Sequence, residues 1–167
     1  MTTPAVVALK CKVDVSTVGR IDRGEILYYN KDTKQLLRNP AVFAKPPIAE
    51  YVAVVTAEAV TLYKGQNDEV SVPISVLGKT EVVLQRRNDV GQYTQKFGGS
   101  AFAGQKLYYK HVPLKSDNTA ATGAGDIATS RVEITTDSAS GADPLGVAVH
   151  SINARTNSVD VIVNFAA

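Results

Sequence analysis

The chain has 167 residues, of which 44% are hydrophobic and 20% charged, with 18 basic and 16 acidic side chains for a net charge of +2. That balance gives no basic stripe for nucleic acid and no polybasic membrane contact, and no block of five or six like charges stands anywhere. Cys11 is the only cysteine, which excludes an intrachain disulfide and a Cys/His zinc site.

Residues 1–7 open the chain with no evident core role and are expected to form an N-terminal arm. The rest, 8–167, is expected to be one β domain, with a subdivision near 88–98. The apolar stretch Pro4 to Leu9 lacks the flanks of a signal peptide, and no run of 18 apolar residues is present. A soluble protein, made and used without Sec-type export, is expected.

Period-2 alternation and β-branched enrichment predict strands at 6–15, 26–29, 51–63 (interrupted at Ala57-Glu58), 70–77, 81–85, 107–109, 131–135, 145–150 and 159–165. Gly78-Lys79 reads as a hairpin turn between two of them. Pro40, Pro46 and Pro47 forbid a regular helix over 39–50, so that stretch reads as an extended connector. Loops are expected at 64–68, 115–129 and 136–143. The fold class is therefore all-β, a sandwich or barrel of short antiparallel strands.

One phrase occurs twice. Gly19 to Tyr29 and Gly99 to Tyr109 both read Gly-x4-Gly-x2-Leu-Tyr-Tyr. A glycine-ended turn feeding a strand is a β building unit, and two related β-units are a candidate organisation. Neighbouring strand residues point to opposite faces, so one tyrosine of each pair is a core ring and the other an outward ring. Tyr29 and Tyr109 are taken as the outward rings, able to anchor a contact through apolar area and a polar tip.

Chemistry finds little footing. Thr122-Gly123-Ala124-Gly125-Asp126 resembles the signature of ribokinase-like sugar kinases, but a loop and a strand follow it where a helix is needed. Gly78-Lys79-Thr80 resembles the end of a P-loop, with Pro73 where the first glycine belongs. His111 and His150 have no metal-ligand spacing beside them, and no Gly-x-Ser-x-Gly elbow occurs. No catalytic residue, metal ligand or cofactor site is expected.

From Gly99 to Phe165 the order of motifs is distinctive: Gly104-Gln105-Lys106-Leu107-Tyr108-Tyr109, a polar loop, Pro144-Leu145-Gly146-Val147-Ala148, and Val159-Asp160-Val161. This order resembles the small β-rich capsid decoration (cement) proteins of tailed bacteriophages. The resemblance implies a compact β-protein, commonly a homotrimer, that binds the major capsid protein on the outside of the shell and is assembled in the bacterial cytoplasm. It also implies an arm or loop contact, for which residues 1–7, with Thr2, Thr3 and Pro4, and the 115–129 loop are candidates. Two other classes stay open: another virion β-protein, such as a tail-tube or head-fibre component, and a small ligand-binding β-barrel.

Overall fold

The computed structural model describes residues 5–13, 20–38, 50–62, 69–138 and 141–164. The 39–50 connector lies almost wholly outside them, as do the 64–68 turn, Gly19, Phe165 and residues 1–4. Among the described residues, thirteen strands run in chain order: β1 (Ala5–Val13), β2 (Arg20–Ile21), β3 (Ile26–Asn30), β4 (Gln35–Leu37), β5 (Tyr51–Thr56), β6 (Val60–Thr61), β7 (Val70–Val83), β8 (Gln85–Arg87), β9 (Tyr93–Phe97), β10 (Lys106–Leu114), β11 (Thr129–Thr135), β12 (Asp143–Ala148) and β13 (Ser158–Asn164). A short 3-10 turn lies at Ala124–Asp126.

Five strands close into a mixed barrel, and further strands pack outside it. The ring runs β1-β4-β3-β5-β7 and closes where β7 pairs back to β1; β1 and β4 are parallel. From β7 the same sheet continues through β13, β12, β10 and β11 to β9 and β8, with β9 parallel to β11. The strands alternate as a two-faced sheet requires. Inside the barrel stand Cys11, Leu27, Leu36, Val54, Val72 and Ile74, all buried. A second core lies between the barrel's outer wall and the rest of the sheet. The wall contributes Ile26, Tyr28, Ala53 and Val55, and the covering strands contribute Leu107, Tyr109, Ile134, Leu145 and Val161.

The two copies of the repeated phrase build one turn twice. In the first, Glu25 N–H donates to Asp22 O at 3.2 Å and the Glu25 side chain accepts from Asp22 N–H at 3.2 Å. In the second, Gln105 N–H donates to Phe102 O at 3.1 Å and the Gln105 side chain accepts from Phe102 N–H at 3.2 Å. Gly24 and Gly104 hold the left-handed turn position at φ 83° and 90°. Gly24 N–H then reaches Thr56 O, and Gly104 N–H reaches Ala148 O. Further along the same partners, Ile21 pairs with Val60 and Ala101 with Ile152.

The likeness extends to the strand order. The first unit runs β1-β4-β3-β5-β7 and the second β9-β11-β10-β12-β13, each beginning with a parallel pair. The units differ in closure. In the first, β7 pairs directly with β1. In the second, the end of β7 pairs with β13 and β8 pairs with β9. Leu84 joins the two sides, accepting from Phe97 N–H at 2.8 Å and donating to Asn157 O at 2.7 Å.

Two expectations are corrected. Gly78-Lys79 is not a hairpin turn: β7 passes straight through it, and Gly78, at φ 97°, sits where β7 leaves β1 and takes up β13. The stretch assigned to the arm also overlaps β1, because Ala5, Val6 and Val7 pair with Leu77, Ser75 and Ile74. The hydrogen-bonding needs of β7 claim those residues for the sheet.

Candidate interaction surface

The outward tyrosines are not the expected ones. Tyr109 is 9% exposed and stands in the second core, and Tyr29 is partly buried against the barrel interior. Within its own unit each second tyrosine points inward, beside Leu36 in one case and Ile134 in the other. The first tyrosines, Tyr28 and Tyr108, point out of their units. Tyr108 is half-buried at the surface, whereas Tyr28 is 4% exposed because the second unit covers it. Thr2, Thr3 and Pro4 lie outside the described residues.

The seam between the units is partly polar. Tyr28 meets His111 edge-on at 5.8 Å between ring centroids, and among the described residues its buried hydroxyl has no hydrogen-bond partner. Burial raises the Tyr28 hydroxyl above the ordinary tyrosine range, and nearby Tyr109 and Asp143 push the same way. Tyr109 is raised by burial and then by Asp143. Gln95, 1% exposed, fastens β9 to the first unit. It accepts from Ile26 N–H at 2.8 Å and donates to Gly24 O at 3.1 Å and Val83 O at 2.6 Å.

A charged cluster completes this seam. Glu25 is 1% exposed and pairs with Arg38. Arg86, from β8, binds Asp22 at 2.6 Å and Glu25 at 3.5 Å. Such a set ties strands together, and each charge in it depends on the others for solvation lost on burial.

The motifs with catalytic overtones fall elsewhere. Thr122 donates to Asp126 at 3.2 Å within an exposed segment, and the helical turn there is three residues long. His150 lies at the surface, 3.7 Å from Asp160. Among the described residues, no three His, Cys, Asp or Glu side chains gather as a metal site would require. Cys11 is fully buried, and burial followed by Glu69 pushes its thiol up to about 11.

The outer face of the second unit is the most distinctive surface. Strand register places Ile162, Val147 and Lys106 side by side on β13, β12 and β10. Pro144, Tyr108 and Thr135 form the next row, and Lys110, Glu133 and Lys96 the third. A hollow of 260 Å³ lies against Tyr108, Pro144 and Val147, and one of 190 Å³ against Lys96, Lys110 and Glu133. Sequence reasoning missed this face. The alternation Lys106-Tyr108-Lys110 is its visible trace, but Tyr93 to Phe97 carries no strand pattern of its own. No protein-family model matches the chain, and no curated protein matches it.

Proposed function

We propose that the chain is a structural virion protein that decorates and stabilises a bacteriophage capsid by binding the major capsid protein. One observation carries this reading. The segment that resembles cement proteins, Gly99 to Phe165, supplies over its described residues four of the five strands of the second unit, β10 to β13, whose outer face carries Tyr108, Pro144, Val147 and exposed Ile162. A decoration protein has no reactant to activate. It gains strength from modest contacts repeated by symmetry, so a homotrimer on the outer shell surface multiplies a weak site into a stable attachment. On this reading the protein is not an enzyme, needs no cofactor, and binds neither nucleic acid nor membrane.

The test is co-sedimentation with expanded shells of the cognate major capsid protein. Saturable binding in a fixed ratio, and a trimer in the free protein by analytical ultracentrifugation, are expected. Rings or filaments of the free chain with no shell binding would overturn the reading in favour of a tail-tube or head-fibre component. The arm contact is tested by removing residues 1–4 alone, since residues 5–7 are paired in β1. Full shell occupancy by that truncation would reject the arm.

A further inference from the structure

The outer face of the second unit has an uneven charge. Lys96 and Lys110 flank Glu133, which also binds Arg131 at 2.7 Å, and Arg87 stands beyond them at the β8 edge. Among the described residues, Glu133 is the one carboxylate that the register places among these cations, and it lies 3.6 Å from Lys110 as well. At the opposite end, Glu81 and Asp160 are matched by Arg23 and Lys79, at 3.2 and 4.0 Å. The positive excess therefore sits at the β9–β11 end. The apolar group of Tyr108, Pro144, Val147 and Ile162 borders it on the same face.

The corresponding face of the first unit has a known fate. Ile26, Tyr28 and Val55 occupy the positions matched by Lys106, Tyr108 and Val147, and the second unit buries them. In the second unit the matching face is solvent-facing among the described residues.

We propose that this face docks an extended protein segment with carboxylates at one end and aliphatic side chains at the other. The carboxylates would meet Lys96 and Lys110, and the aliphatic part would lie over Tyr108 and Ile162. Charge complementarity selects the acidic end. The apolar rows select a protein over a nucleic acid, and so does Tyr93. Its ring is covered by Arg87 at 4.3 Å and approached by Lys96 at 5.2 Å, so it offers no open platform for a base. The chemistry of the partner stands on the geometry alone. That the partner is the shell protein rests on the capsid reading, which co-sedimentation tests separately.

The experiment titrates the isotope-labelled full chain with a synthetic peptide, glutamate-rich in one half and valine-rich in the other, and in parallel with oligothymidylate. Saturable amide shifts confined to β9–β13 are expected with the peptide. Lys96→Glu with Lys110→Glu should weaken binding about tenfold or more, because both charges then repel the acidic half. Lys10→Glu with Lys31→Glu changes net charge equally away from this face and should leave affinity within about twofold. Ile162→Asp, at a half-exposed position, supplies a second variant that tests the apolar end without altering either lysine. Absence of saturable binding, shifts outside this face, equal loss in both lysine pairs, tighter binding of the oligonucleotide, or self-association of the free chain through this face would each overturn the proposal.

Discussion

Tyr28 and Tyr108 hold the same place in the two units, yet one is sealed in a core and the other borders solvent. Both lie on strands that leave the same glycine turn and point away from their own unit. The difference comes from closure. The first unit pairs β7 with β1 and forms a complete barrel, so its outer wall is available for packing. The second unit takes the β7–β8 segment between β13 and β9 and lays its inner face over that wall. A repeated local structure can thus carry two packing roles, set by what covers it.

Replacing the outward tyrosines tests that comparison most strongly. Tyr28→Ala should destabilise by ~3–5 kcal/mol, as for other buried aromatic truncations. Tyr108→Ala should stay within about 0.5 kcal/mol, measured for both by urea unfolding. Equal losses would break the assignment of inner and outer walls. Tyr28→Phe removes the buried hydroxyl and should be neutral or stabilising.

The turn acids come next. Glu25→Ala leaves Arg38 and Arg86 in a mostly buried site and should cost about 3 kcal/mol. Gln105→Ala removes only the local bond to Phe102 N–H and should cost about 1 kcal/mol. Similar costs would show that the charged cluster adds nothing to the turn.

The turn glycines sharpen the point. Alanine at either position meets the left-handed backbone penalty of about 1–2 kcal/mol. A Cβ on Gly24 would also stand 2.9 Å from Glu81 O and Val83 N, whereas one on Gly104 meets open space. Thermal melts should therefore place Gly24→Ala well below Gly104→Ala.

The last effect is alkaline and is shared between the units. Tyr28 and Tyr109 have folded values raised above the unfolded one, so their contribution is complete below about pH 10 and declines as pH rises from there. Cys11 follows the same sign, losing its contribution between 9.0 and about 11. The urea midpoint should fall as pH climbs through this window. A flat midpoint would place these groups in water.

Much of the fold was legible along the chain. Alternation in 70–77 and 131–135, and the β-branched run from Val159, marked strands because each buries one face. The repeated Gly-x4-Gly-x2-Leu-Tyr-Tyr marked the turn because only glycine sits easily at its left-handed position. β4, β8 and β9 were not legible. Gln35-Leu36-Leu37 and Gln85-Arg86-Arg87 are only three residues long, Tyr93 to Phe97 is polar between two aromatic ends, and their strand state comes from neighbours that need partners. Gly78 read as a turn because local preference does not know that a strand can pass from one partner to another.

By itself, the sequence determined the all-β class, the repeated turn and the alternation that gives each strand two faces. These follow from interactions among residues close in the chain. The tertiary structure alone decided which face is inside, since that depends on closure between strands distant in sequence. It placed Tyr109 in a core, buried Tyr28 under the second unit, and gathered Lys96, Lys110 and Tyr108 onto one surface. Burial is a property of what lies opposite, and strand register sets that.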